Sequence, residues 1–271
     1  MSVSERQESI VTGMYSLARR SGFLETAVGQ WLFQHAYFRY KRHVEDPYNA
    51  LLRRLPELLH GGNVLDIGAN IGYTPLLFSR GIDPRFKVYA FEPDEFNFRL
   101  LERAAASRKA QDRIRALRFA VGDTDGSAEL WINPRHHGDH RILTRSFGES
   151  RAGGATVRVP LVTVDTFVRN QQAPFPVRFI KVDVQGYELA VCRGMERTLA
   201  ENPRMILAME YMPRAMRELG FEPRELLQWI GEKGYCVYIL ANGGMLQVEA
   251  ADQVTTDGYV DLLLTREQLV P

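Results

Sequence analysis

The segment Val64-Leu65-Asp66-Ile67-Gly68-Ala69-Asn70-Ile71-Gly72-Tyr73-Thr74 sets an acid, two glycines and an asparagine in the pattern D-x-G-x-N-x-G. It closes an apolar run and opens a helical one. Glycines there let the backbone approach a ligand closely, and the start of the helix presents free N–H groups. Glu92 lies twenty residues beyond Gly72, at the end of the next apolar run. A carboxylate at that place accepts hydrogen bonds from both hydroxyls of a ribose. The nicotinamide fingerprint G-x-G-x-x-G/A fails, because the third and sixth places counted from Gly68 are Asn70 and Tyr73. Asp66 adds an anion that is unfavourable beside a pyrophosphate and favourable beside the ammonium of an amino acid. The ligand suggested is a nucleoside carrying an amino acid, S-adenosylmethionine. Asp123, in the pair Gly122-Asp123 at the end of a third apolar run, is placed to accept from the adenine amino group; it also reads as a turn former in Gly-Asp-Thr-Asp-Gly.

Methyl transfer from a sulfonium is an in-line displacement, for which a protein mainly supplies alignment. An alcohol acceptor also needs its proton removed. Ligands of open α/β sheets sit at the carboxyl ends of the strands. Asp183, just before Gln185-Gly186, is the first candidate for the transfer centre, with an N-cap as its alternative. Glu210, after the apolar MILAM, faces the same crevice or is a satisfied edge charge. The two carboxylates together could hold Mg²⁺ and lower a hydroxyl's pKa. Glu188 follows on a helix, as a site residue or a solvated charge. The loop from Arg135 to Arg141 contains His136, His137 and His140, three of the six histidines. Their spacing matches no zinc signature, but one of them could act as a general base. Arg141 could hold a substrate anion or a loop carboxylate, and the alternative for the whole loop is a polar surface. The stretch Trp31, Phe33, Tyr37, Phe38, Tyr40 reads as packing, or as a lid over an apolar or sugar-like acceptor. Cys192 and Cys236 read as inert core thiols.

These residues need elements to position them. Residues 1–60 read as helical, ended by Gly61-Gly62. Strand–helix alternation follows: strands at 63–68, 87–93 and 113–123, and helices at 72–80 and 94–110. The middle breaks the rhythm. Residues 127–133 alternate like an antiparallel strand, 133–155 read as an active-site loop, and 156–167 as a strand running into a helix. Alternation resumes with strands at 177–184 and 204–211 and helices at 186–202 and 222–234. Strands at 235–240 and 259–265 close the sheet, with Gly243-Gly244 as the turn between them. Short apolar strands separated by helices predict a doubly wound, mostly parallel sheet of seven strands, ending in an antiparallel edge hairpin. The domain expectation is a helical cap over 1–60 and a ligand-binding α/β domain over 61–271.

The chain has 271 residues, 45% hydrophobic and 25% charged, which suits one large globular domain and excludes disorder, collagen and coiled coil. Lys plus Arg number 34 and Asp plus Glu 33, a net charge of +1, so nucleic-acid binding through a broad basic face is disfavoured. Two cysteines are too few for a disulfide framework or a structural zinc site. The polar start MSVSERQESI carries no signal core, and no apolar run is long enough for a membrane helix. A cytoplasmic setting is expected, with no membrane partner; a homo-oligomer is left open.

The sequence resembles the FkbM-type methyltransferases, a branch of the class I S-adenosylmethionine-dependent enzymes with a Rossmann-like sheet. The resemblance rests on VLDIGANIGYTPLLFSR (64–80), AFEPDEFNFRLLERAA (90–105), FAVGDTDGSAELW (119–131), GDHRI (138–142), VPLVTVDTF (159–167) and IKVDVQGYELAVCRG (180–194). It implies that Asp66, Gly68, Asn70 and Gly72, with Tyr73 and Thr74, hold the methionine and ribose end of the cofactor. Glu92 and Pro93 take the ribose, and Gly122 and Asp123 the adenine rim. His140, within GDHRI, becomes the preferred histidine base beside Asp183 and Glu210. His137, Asp139, Arg141, Gln185 and Glu188 are the expected acceptor contacts. Gln185 and Tyr187 stand where the family commonly has Glu and often His. The implied activity is O-methylation of a hydroxyl on a sugar, polyketide or similar small-molecule or glycan acceptor. The rivals are N- or RNA-directed methylation, a non-catalytic cofactor-binding module, and a nicotinamide oxidoreductase. The first is opposed by KVDVQG in place of an Asn/Asp-Pro-Pro-aromatic pattern, and the last by the failed fingerprint.

Overall fold

The computed structural model describes residues 22–44, 46–150, 155–241, 244–256 and 258–269. The helical reading of 1–21 and the turn residue Gly243 lie outside these. The main sheet contains β1 (Asn63–Ile67), β2 (Val88–Phe91), β3 (Ile114–Leu117), β8 (Val177–Val182), β9 (Ile206–Tyr211), β10 (Cys236–Ala241), β11 (Gly244–Val248) and β12 (Val260–Thr265). Their order is β11-β10-β12-β9-β8-β1-β2-β3. The five strands from β3 to β9 are parallel, and β12 runs antiparallel between β9 and β10. A second sheet orders β4 (Ala120–Val121), β7 (Ala155–Val162), β5 (Gly126–Ile132) and β6 (Arg141–Ile142).

The doubly wound reading therefore holds, with three corrections. The main sheet has eight strands among the described residues, not seven. The edge hairpin joins β10 to β11, and the last strand turns back to insert beside β9. The third apolar run is broken in two: β3 pairs with β2, and after Phe119 the chain leaves that sheet so that β4 pairs with β7. The 133–155 loop also holds structure of its own, β6 and a short helix Arg145–Ser150; residues 151–154 are outside the description.

Strand periodicity sorts the core. Leu65, Ile67, Ile180, Val182, Leu207 and Met209 pack on one face with Leu189, Leu199, Leu226 and Ile230. Val64, Phe179, Ala208 and Leu263 pack on the other with Tyr48, Leu51, Leu58, Phe78 and Leu101. Successive residues of a strand point to opposite faces, and both faces are covered, so all five residues of β1 are buried. By the same alternation Asp66 shares its face with Val64, and Lys181 with Phe179. The helix Pro47–Arg54 and the turn Pro56–Leu59 belong to that second cluster. No packing seam separates residues 46–60 from the sheet. Among the described residues, no helix is long and apolar enough to cross a membrane.

The β1–helix turn requires glycine for a packing reason. Gly68 has φ +84°, and a Cβ there would lie 1.8 Å from the carbonyl oxygen of Asp183. Gly68→Ala should destabilise the fold by at least about 2 kcal/mol, since overpacking against backbone adds to left-handed strain. Gly231 is the control: it lies in the helix Pro223–Glu232 with nothing within 4 Å of a built Cβ. Gly231→Ala should stabilise by about 0.5–1 kcal/mol. Denaturant midpoints of the two variants check both signs.

Candidate active site

A cavity of about 970 Å³ opens at the carboxyl ends of β1, β2, β8 and β9. The helix Ala27–Val44 supplies Tyr37, Tyr40 and Lys41 to its wall, and the loop after β5 supplies His136, His137, Gly138 and His140. Gly68, Asn70, Tyr73, Thr74, Glu92 and Pro93 line one end; Lys181, Asp183, Gln185 and Glu210 line the other.

At the first end, Glu92 is buried. Its Oε2 accepts from the Asn70 N–H at 2.9 Å and its Oε1 from the Asp94 N–H at 3.0 Å. The Asn97 side chain hydrogen-bonds the same carboxyl. Burial, reinforced by Asp94, pushes its pKa up to about 8. Asp94 also caps the helix Glu95–Ser107 by accepting from the Asn97 N–H, which pins the chain just past Glu92. Asn70 is left-handed, with φ 48°, and its Oδ1 accepts from the Ile71 N–H at 2.8 Å and lies 3.0 Å from His137 Nδ1. Tyr73 donates to Asp46, 2.5 Å away.

Four expected cofactor residues are not on this surface. Asp66 is fully buried beneath the floor, where it accepts from Thr74 Oγ1 at 2.5 Å and pairs with Lys181 at 3.3 Å. Gly72 is the N-cap of the helix Tyr73–Gly81 and packs against Leu101. Asp123 is exposed and off the cavity, and Gly122 is buried behind it, where a Cβ would meet the Tyr187 ring at 2.9 Å. The break after β3 moves this rim upstream, to Phe119, Ala120 and Val121.

At the second end, Lys181 Nζ sits 3.2 Å from Asp183 Oδ2, 3.3 Å from Asp66 Oδ1 and 3.1 Å from the Gly68 carbonyl. Burial opposes its charge, but the two carboxylates outweigh it and hold its pKa above the ordinary lysine value. Burial pushes Asp183 up, but Lys181, then Lys41 and the hydrogen bonds from Gln185 and Lys181, together hold it below the usual aspartate value. Gln185, left-handed with φ 56°, directs Nε2 to Asp183 Oδ1 and Glu210 Oε2, each at 3.0 Å. Glu210 is raised well above the usual range by burial, then by Asp183 and Asp261. The N-cap of the next helix is Tyr187, not Asp183. Lys181 is the residue that sequence reasoning missed. The signal was present: a lysine inside an apolar central strand, two residues from Asp183, has to find carboxylates.

The donor set does not fit the expected Mg²⁺. The Asp183–Glu210 pair is bridged by an N–H donor and balanced by an ammonium, both of which would face an incoming dication. Among the described residues, no group of three or more His, Cys, Asp or Glu side chains could hold a metal.

The remaining expected contacts divide. Asp139 accepts from Asn133 Nδ2 at 2.7 Å and Arg141 Nε at 2.6 Å, and Arg141 Nη1 reaches Glu218 at 2.6 Å. Neither residue lines the cavity; this buried network anchors the loop instead of binding substrate. Glu188, also off the cavity, is fully buried under the 183–187 turn and accepts from the Val184 and Gly186 N–H groups at 3.1 Å. His137 is buried edge-on to Phe33 and Tyr37, and burial, followed by His136, lowers its pKa well below the ordinary histidine value. His140 lines the cavity, but its Nδ1 accepts from the Asn133 N–H at 3.1 Å and its Nε2 faces Asp94 at 3.9 Å. That bonding ties His140 to the loop and to the helix cap, which counts against it as the base.

The profile of the family described as Methyltransferase FkbM domain matches residues 66–237. The hexuronic acid methyltransferase AglP of Haloferax volcanii is 27% identical over 185 residues, 67% of this chain and 67% of its own. Methyltransferase sdnD of Sordaria araneosa is 26% identical over 177 residues, 57% of this chain and 68% of its own. Among solved structures, an O-methyltransferase from Bacillus cereus in complex with SAH covers 82% of this chain and 80% of its own at 15% identity, with a TM-score of 0.46.

The buried Glu188 gives a stability signature. Burial pushes its pKa up to about 7 from an ordinary 4.5, against its backbone hydrogen bonds. Between those values the folded chain holds a proton that the unfolded chain has lost, so this contribution declines as pH rises from about 4.5 to 7. The full effect is roughly 3 kcal/mol. Glu188→Gln keeps an acceptor for both N–H groups and removes the titration. Its Tm should fall less than that of the parent between pH 5 and 7.5, as scanning calorimetry would measure. Glu92, shifted in the same direction, leaves a residual slope in both proteins.

Proposed function

The chain belongs to the FkbM methyltransferase family and is an S-adenosylmethionine-dependent methyltransferase; from that premise we propose that it methylates a hydroxyl oxygen of a sugar, polyketide or similar small-molecule or glycan acceptor. One observation carries this reading. A single cavity joins a ribose-type carboxylate on a glycine turn, Glu92 with Asn70, to a second carboxylate centre, Asp183–Gln185–Glu210.

The residues fit the cofactor. Beyond its bonds from the Asn70 and Asp94 N–H groups and the Asn97 side chain, Glu92 has capacity left for a ribose hydroxyl, and Phe119, Ala120 and Val121 offer an apolar rim for a base. Asp46, Asp183 and Asp261 outnumber Lys41 and Lys181 on the wall, which favours a ligand carrying ammonium and sulfonium charges. When bound, the cofactor supplies a methyl group on a positive sulfur. Asp183 accepts the hydroxyl proton of the acceptor, and Glu210, held beside it by Gln185, hydrogen-bonds the same oxygen or its neighbour. Tyr37, Tyr40 and Lys41 wall the acceptor side and limit water. The α/β domain, with residues 46–60 packed into its core, serves as the catalytic unit, and the helix Ala27–Val44 as its cap.

Calorimetric titration with S-adenosylhomocysteine tests the cofactor end. Micromolar binding by the parent is expected, and Glu92→Ala should weaken it about 10-fold or more, as the hydrogen bonding of Glu92 to the ribose and to the Asn70 N–H is lost. Unchanged affinity would sink the ribose assignment. For the transfer end, hydroxylated acceptors are screened by mass spectrometry for methyl addition. Hexuronic acids come first, because one relative is named for them. Asp183→Asn should then lower kcat by about 10²–10⁴ with cofactor affinity within a few-fold of the parent. Equal loss of both would make Asp183 a cofactor ligand or a structural residue.

A further inference from the structure

Asp66 on β1 and Lys181 on β8 are direct cross-strand partners, and Asp183 follows two residues after Lys181. The ammonium of Lys181 has three N–H donors, and three oxygens surround it: Asp66 Oδ1 at 3.3 Å, Asp183 Oδ2 at 3.2 Å and the Gly68 carbonyl at 3.1 Å. It thus touches the floor of the glycine turn and the transfer carboxylate at once. On the far side of Asp183, the neutral amide of Gln185 is shared with Glu210. Glu210 in turn stands opposite Asp261 of β12. The pair is therefore unequal: a cation reaches Asp183, while Glu210 has an amide on one side and another carboxylate on the other. Like charges this close resist ionising together. The other ionisable groups acting on the pair are Glu188 from the following helix, Lys41 from the helix Ala27–Val44, and Tyr48 from the helix Pro47–Arg54. Lys41 is the second cation; it favours ionisation of both carboxylates, and at Asp183 it acts less strongly than Lys181.

We propose that Lys181 is a positioning residue for methyl transfer: its ammonium ties Asp183 to the floor of the glycine turn and makes Asp183, not Glu210, the carboxylate that takes the acceptor's proton. This rests on the hydroxyl-acceptor reading above. In the step it serves, the acceptor oxygen bonds the methyl carbon as the carbon–sulfur bond breaks. The electron pair of that bond stays on sulfur, and the hydroxyl proton passes to Asp183. Glu210 keeps its own proton throughout and donates a hydrogen bond.

The test needs no acceptor. The full chain, labelled with ¹³C at Asp and Glu carboxyls and saturated with S-adenosylhomocysteine, is titrated by NMR. Asp183→Asn and Glu210→Gln assign the two signals. In the parent, Asp183 should titrate below Glu210. Lys181→Met should raise the Asp183 midpoint by about 1–3 pH units, the effect of losing one close opposite charge. That substitution also leaves Asp66 buried without its cation, so the double variant Asp66→Asn with Lys181→Met is measured beside it, and the same rise is expected. An unmoved Asp183 midpoint in either folded variant, or Glu210 titrating first in the parent, overturns the proposal. The two ways of failing read differently. An unmoved midpoint refutes the role of Lys181 alone. Full turnover by Asp183→Asn in the acceptor screen refutes the base on which that role depends.

Discussion

One ammonium ion organises the centre of this molecule. Desolvating a lysine inside a sheet covered on both faces costs several kcal/mol, which attraction to its partners offsets only when geometry and hydrogen bonding are nearly complete. Lys181 is offset by two close ion pairs and a hydrogen bond to a carbonyl. Each partner has a second task. Asp66 accepts from Thr74 and so fixes the first turn of the helix Tyr73–Gly81. Gly68 is the tight point of the glycine turn, and Asp183 reaches the cavity. The glycine turn and Asp183 are consequently one electrostatic unit, and neither can shift without disturbing the charge that holds the other.

Two turns around this unit carry non-glycine residues in the left-handed region, Asn70 at φ 48° and Gln185 at φ 56°. Such residues cost about 1–2 kcal/mol relative to glycine, and asparagine tolerates the conformation far better than glutamine. Their side chains account for the strain. Asn70 Oδ1 binds the next N–H and meets His137, which fastens the loop after β5 onto the cofactor turn. Gln185 spans Asp183 and Glu210, a bridge that glycine could not supply. Strain concentrated where side chains converge on a cavity is a mark of function.

What the sequence made legible follows from the range of each interaction. The alternation of strands and helices, the glycine turn and Glu92 are written in local periodicity and short spacings, and they stand in the structure where those spacings put them. The break between β3 and β4 could not be read, because Leu117 and Ala120 lie in one apolar run and differ only in which strand they pair with. That unread break is what carried Asp123 off the cavity. Arg141 and Asp139 looked like substrate ligands for a similar reason: Glu218, which completes their network, is 77 residues from Arg141. A reading that scores polar residues at strand ends also passes over a lysine within a strand. Lys181 becomes visible only when β1 and β8 are laid side by side in register.

The aromatic helix was open to two readings, packing or lid; its contacts are packing contacts, and one face of it also lines the cavity. Gln34, buried on that helix, donates to the carbonyls of Ile71 and Leu100, which belong to the cofactor turn and to the helix after β2. Phe33 and Tyr37 grip His137 edge-on while His137 bonds Asn70. Tyr37, Tyr40 and Lys41, one face of the same helix, line the cavity. This cavity wall is therefore bolted to the glycine turn through His137 and Gln34. Exchanging acceptors by changing residues 37–41 is cheap only if those two anchors stay, because a helix that loses them leaves Asn70 strained and without its partner.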